Sequence, residues 1–138
     1  MLVTERLGSL CLIRDGVLDP APIAGLPDVF TDVNLSGLMD IALHPQFSDN
    51  QFVYLTYSKP TEGGATVALA RGKLDGHALS EVRDIFVADA DGRGIAASRL
   101  LFAPDGTLYM TGGGAQRNKQ RAERSESVEP YRQGAAAP

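Results

Sequence analysis

Ser98 to Thr111 reads SRLLFAPDGTLYMT, and Asp40 to Tyr57 reads DIALHPQFSDNQFVYLTY. Each stretch is an apolar run, a turn opened by proline and a second apolar run. Pro45 and Pro104 fix φ near the value needed at the second position of a β-turn. Asp105-Gly106 closes one turn, and Ser48-Asp49-Asn50 closes a longer version. Both stretches therefore predict β-hairpins. Their second strands carry Tyr54-Leu55-Thr56 and Tyr109-Met110-Thr111, and Leu2-Val3-Thr4 is a third copy. The three lie 52 and 55 residues apart. The first copy has only its second strand, so the chain is expected to begin in the middle of a repeat.

Further strands are expected between the hairpins. Ser9 to Gly16 (SLCLIRDG) is apolar and ends on a turn signal. Thr66 to Gly76 (TVALARGKLDG) alternates through Val67, Leu69 and Arg71, and Val82 to Asp91 (VRDIFVADAD) is another short apolar run. No segment in this body sustains a helical apolar period. The class is all-β. A period in the fifties with about four short strands per repeat is the pattern of a β-propeller blade. The chain holds about two and a half repeats, whereas closed propellers have about 4 to 8 blades. The expectation is a partial β-propeller; a β-sandwich with two similar hairpins is the competing architecture.

Two segments follow from composition. Residues 1–114 form the expected propeller domain. Residues 115–138 carry almost no large apolar side chain and a net charge of +2, and are expected to be a disordered tail, or a weak helix between Gln116 and Val128. The whole chain of 138 residues has net charge -4, which argues against a nucleic-acid partner. No apolar run reaches the roughly 18 residues of a membrane span. Cys11 is the one cysteine, so no internal disulfide is possible. The first residues lack the basic and apolar regions of a signal peptide, which places the chain as given in the cytoplasm.

Residues with catalytic or ligating chemistry are sparse. His44 precedes a turn at a strand end, where a structural role is expected, and His77 follows Asp75-Gly76 on a loop. Neither has metal-ligand spacing to the other or to Cys11. Gly112-Gly113-Gly114 lacks the Lys-Ser/Thr of a phosphate loop. Asp89 and Asp91 fit solvated turn residues as well as calcium ligands. These residues describe a scaffold without a complete active site, so no catalytic or metal residue is assigned and the cofactor-binding residues stay unassigned.

Several collinear motifs carry a resemblance: LVTERLGSLCLIRDGVLDPAPIAGLPDV from Leu2, GLMDIALHPQFSDNQFVYLTYS from Gly37, VALARGKLDG from Val67, RDIFVADA from Arg83 and SRLLFAPDGTLYMT from Ser98. Together, over about residues 2–111, they resemble the soluble PQQ-dependent sugar dehydrogenases, the glucose/sorbosone dehydrogenase family. The resemblance implies a six-bladed β-propeller, export to the periplasm or outside the cell, and oxidation of an aldose to its lactone by pyrroloquinoline quinone (PQQ) held with calcium. A histidine would act as base on the sugar hydroxyl, and the quinone would take the hydride. The resemblance also implies a Pro-Asp-Gly turn before LVTER, so Met1 is expected to be an internal start lacking a leader and the first strand.

The same resemblance locates the family's site positions, and each is changed. His-Phe-Gly before Ser98-Arg99 becomes Ile95-Ala96-Ala97, which removes the base. The Gly-Asp after Tyr109-Met110-Thr111 becomes Gly113-Gly114, which removes the carboxylate supporting that base. Gly-Gln-Gly-Gly-Leu before Met39 becomes Asn34-Leu35-Ser36-Gly37-Leu38, so Leu35 replaces a cofactor-binding glutamine. The tail after Gly114 is read as unlike the family. The expectation is an inactive relative that binds neither PQQ nor calcium. The alternative is a non-catalytic interaction module that associates with another chain through open sheet edges.

Overall fold

A computed structural model describes residues 1–32, 36–89 and 96–114. Its strands are β1 (Leu2–Glu5), β2 (Ser9–Arg14), β3 (Val17–Leu18), β4 (Leu38–Leu43), β5 (Phe52–Thr61), β6 (Gly64–Asp75), β7 (Ala78–Val87), β8 (Ala96–Phe102) and β9 (Leu108–Gly114). They form three antiparallel sheets in the orders β1-β2-β3, β4-β5-β6-β7 and β8-β9. The middle sheet is a complete four-stranded blade. Among the described residues the first sheet has three strands and the third is a hairpin.

The blades stack because the middle one is apolar on both faces. On β5, Val53, Leu55 and Tyr57 point to one side, where they join Leu10, Leu38, Ala68, Ala70 and Leu79 against the first blade. Tyr54 points to the other side, where it joins Leu69 and Leu108, with Leu100, Phe102 and Met110 packed around them. Strand alternation thus serves two interfaces, and residues 53–58 are all buried. Burying each large side chain contributes roughly 1.5–3 kcal/mol, which makes these two seams the main source of cohesion.

The repeated threonine has a structural explanation. Thr56 Oγ1 accepts the Asp40 N–H at 3.1 Å, and Thr111 Oγ1 accepts the Arg99 N–H at 3.0 Å. Asp40 and Arg99 stand at matching places before Pro45 and Pro104. Thr4, whose blade has no innermost strand among the described residues, donates to the Met39 carbonyl of the next blade at 2.8 Å.

Residues between β3 and β4 run across the first two blades. The Ile23 N–H bonds the Leu10 carbonyl at 2.7 Å, and the Phe30 N–H bonds the Ser58 carbonyl at 2.8 Å. Ala24 forms an isolated parallel bridge with Ala78.

Two details depart from the sequence reading. The turn after Pro45 is not a plain loop: Phe47–Asn50 form one helical turn, ended by Gln51 at φ 57°. Asn50 Oδ1 then accepts the Phe52 N–H at 2.9 Å and starts β5. The run expected to reach Asp91 ends as a strand at Val87, with Asp89 exposed. Asp91 and residues 115–138, including the segment read as tail or weak helix, lie outside the described residues.

Candidate functional site

The direction of the strands brings Ser36, Ala96 and Gly113, which lie at or beside the positions singled out by resemblance, to one end of the stack. β4 and β8 run side by side in the same sense: Asp40 contacts Leu100, and two residues further on Tyr54, the register partner of Ala42, contacts Phe102. β1 runs the opposite way, since Thr4 bonds Met39 while the Arg6 carbonyl accepts the Leu38 N–H at 3.0 Å. The starts of β4 and β8 therefore lie with the ends of β1 and β9.

The junction at the start of β4 is tight. Gly37 has φ 155°, and a Cβ there would lie 1.9 Å from the Arg6 carbonyl oxygen. The Gly37 N–H donates to Ser58 Oγ at 3.1 Å, and its carbonyl accepts the Ser58 N–H at 2.9 Å. One Arg6 guanidinium nitrogen donates to the carbonyls of Asp32 at 3.0 Å and Ser36 at 3.3 Å. Arg6 thus bridges the two ends of the segment that contains position 35. Leu35 itself lies outside the described residues.

At the start of β8 the register sets Ala96 opposite Gly114 and Ala97 opposite Gly113. The positions matched to the family's base region and to its supporting carboxylate are thus neighbours across one hairpin. Ile95, next to Ala96 in the chain, lies outside the described residues. The glycines are not imposed by crowding: a Cβ at Gly112 would meet nothing within 4 Å, and one at Gly113 would come no nearer than 3.8 Å to any neighbour.

The histidines do not join this end. His44 sits beyond the opposite end of β4, with its ring stacked on Tyr54 and edge-on to Phe52 and Phe102. Its Nδ1 accepts the Gln46 N–H at 3.1 Å and lies 2.7 Å from Asn50 Nδ2. Burial, and secondarily the charge of Arg71, hold its pKa below 6.5. His77 is exposed and lies 3.4 Å from an Asp19 carboxylate oxygen. Among the described residues no group of three His, Cys, Asp or Glu side chains is placed to hold a metal ion. The described residues at this end include Arg6, Asp32, Asp40 and Arg99 beside backbone groups and small side chains.

Sequence reasoning missed Asp40 and Arg6, which organise this end. The signal for Asp40 was its place five residues before Pro45, where Arg99 precedes Pro104.

The profile of the Glucose / Sorbosone dehydrogenase family matches residues 1–129. The chain belongs to that family. The match runs past Gly114, so the polar segment read from sequence as unlike the family lies partly within it. An uncharacterized protein of Synechocystis, slr1608, is 42% identical over 122 residues, covering 82% of this chain and 30% of that protein. The aldose sugar dehydrogenase YliI of Escherichia coli is 31% identical over 126 residues, covering 88% of this chain and 33% of that protein. A crystal structure of a glucose dehydrogenase superposes with a TM-score of 0.75 at 33% identity, over 81% of this chain and 34% of the other. The PQQ-bound aldose sugar dehydrogenase of Streptomyces coelicolor shares the fold, with a TM-score of 0.62 at 21% identity, over 81% of this chain and 34% of the other. The chain thus spans about a third of the length of these relatives. The glucose/sorbosone dehydrogenase chain is a partial β-propeller, as its repeats predicted.

Proposed function

We propose that this glucose/sorbosone dehydrogenase chain descends from a PQQ-dependent aldose dehydrogenase and does not itself oxidise sugars. Converting an aldose to its lactone removes a proton from the anomeric hydroxyl and a hydride from the anomeric carbon. The proton needs a base with a lone pair at about hydrogen-bond distance. Isoleucine at position 95 has none. The observation that carries the reading is the collinear match to the family with Ile95, Leu35 and Gly113-Gly114 at its three site positions.

On this reading residues 1–114 are the propeller domain and 115–138 a separate polar segment. Aldoses, PQQ and calcium belong to the lineage, as does export to the periplasm or cell exterior, while this polypeptide binds neither cofactor. Calorimetric titration of PQQ with calcium into the purified chain tests it, together with turnover of aldoses using a dye acceptor. The expected result is a β-type circular dichroism spectrum with no saturable heat and no turnover. Saturable binding, or turnover near that of a full-length relative, would overturn it. A second reading, a non-catalytic interaction module, is favoured by the exposed apolar faces at both ends of the stack.

A further inference from the structure

Leu101 and Tyr109 face each other across the β8–β9 hairpin and are 68% and 56% exposed. Their counterparts in the middle blade are Ala42 and Tyr54, also register partners. Tyr54 stands two residues before Thr56 as Tyr109 stands two before Thr111, and Ala42 stands three before Pro45 as Leu101 stands three before Pro104. Tyr54 is only 1% exposed, because the next hairpin covers it: the Phe102 ring lies 5.2 Å away, edge-on. The same face position is thus sealed by a following blade in one repeat and bare in the next.

The outer face of the first blade is the complementary surface, with Val3, Cys11 and Ile13 half-buried and Leu18 exposed. Leu2, Leu10 and Leu12 pack toward the middle blade, so alternation turns Val3, Cys11 and Ile13 away from it. Val3 pairs with Cys11, and Ile13 pairs with Leu18, which is 56% exposed. Glu5, also exposed, lies on the same side of β1 as Val3 and belongs to this face.

We propose that the 138-residue polypeptide associates head to tail, the Leu101–Tyr109 face of one copy packing on the Val3–Cys11–Ile13–Leu18 face of a second copy. The contact continues the blade-on-blade packing already made twice within the chain. It joins two different surfaces, so it is heterologous and extends until a ring closes. It involves no cofactor, and its outcome is independent of the catalytic reading above.

Sedimentation equilibrium from about 1 to about 100 µM tests it. The wild-type chain is expected to form oligomers. Leu101→Lys with Tyr109→Lys removes one face, and Leu18→Lys with Glu5→Lys removes the other. Each double variant is expected to weaken association at least about tenfold. The decisive sample mixes the two variants. Each keeps one intact face, so the mixture forms a capped heterodimer that neither forms alone. If a double variant loses its β spectrum, Tyr109→Ser and Leu18→Ser take its place. A monomeric wild-type chain, association that survives in both variants, or a mixture that stays monomeric would each overturn the proposal.

Discussion

Asp40 on β4 accepts the Leu100 N–H of β8 through Oδ2 at 2.8 Å, joining the innermost strands of successive blades by a side chain where no backbone ladder connects them. β4 is irregular here, its register to β5 shifting between Leu38 and Ile41. The shift places Asp40 where its own amide bonds Thr56 and its carboxylate reaches the next blade.

Asp40→Ala leaves the Leu100 amide without its acceptor, in a side-chain site only 18% exposed. A loss of about 1–3 kcal/mol is expected in urea denaturation, while Asp40→Asn, which keeps an acceptor oxygen, loses less. Arg99→Ala is the control. Its guanidinium is 3.5 Å from Asp40 and 84% exposed, so the change is expected to stay below about 1 kcal/mol. Equal losses for Asp40→Ala and Arg99→Ala would show that the ion pair, and not the amide bond, joins the blades.

Gly37→Ala requires a Cβ 1.9 Å from the Arg6 carbonyl at a φ of 155°. The backbone must move apart at the β1–β4 junction. Expected is a loss above about 3 kcal/mol, or no soluble folded chain. Gly112→Ala meets nothing within 4 Å and is expected to change stability by less than about 1 kcal/mol in either direction. Thermal unfolding of both variants separates a glycine required by contact from one that is not.

The hairpins and the repeat were legible in the sequence because proline-led turns and the recurring threonine are local signals. Pro104-Asp105-Gly106 produced the expected tight connection, with Gly106 at φ 83°. The helical turn at Phe47–Asn50 was hidden, because its four residues are too few for a period and its stop is a side-chain bond from Asn50. Asp40 was hidden for a different reason: its partner lies 60 residues away, and its place five residues before Pro45 marks a repeat position without marking the amide it caps. The candidate site positions rest on resemblance alone. Isoleucine, leucine and glycine carry no chemistry of their own to draw attention to positions 95, 35 and 114.

His44 sets a pH dependence. Its pKa is lowered from 6.5 in the folded chain by burial, with Arg71 adding to the effect. The unfolded chain therefore binds more protons below that value, so the stabilisation is fully present above pH 6.5 and is lost as pH falls through the folded pKa. Protonation would also take away the Nδ1 lone pair that accepts the Gln46 amide. Urea midpoints are expected to drop between neutral and mildly acid pH in the wild-type chain, and to drop less in His44→Gln. An identical pH slope in the two proteins would assign the dependence to other groups.

Tyr57 ties the outer strands of the middle blade to its core. The phenol is 2% exposed and donates to Asp84 Oδ1 at 2.7 Å, across β6 from β5 to β7. Lys59 Nζ holds the other oxygen of the same carboxylate at 2.6 Å. Burial raises the phenol pKa far above its ordinary value, and the hydrogen bond to Asp84 and the charges of Asp84 and Asp28 push it the same way. The folded state thus favours the protonated phenol. Its contribution is intact below pH 10 and lost as pH rises beyond it, where the unfolded chain ionises first. Tyr57→Phe keeps the ring and removes the hydroxyl, leaving Asp84 with Lys59 alone. The expected cost is about 1–3 kcal/mol at neutral pH, as for a hydrogen bond to a charged group. Lys59→Met should cost less, because Lys59 is 40% exposed and its ion pair is screened by solvent. The double variant discriminates between two arrangements. If both donors act through the one carboxylate, the combined loss departs from the sum of the single losses by about 0.5 kcal/mol or more. Additive losses would mean that Tyr57 is held by its packing against Leu38 and Leu55 and not by Asp84.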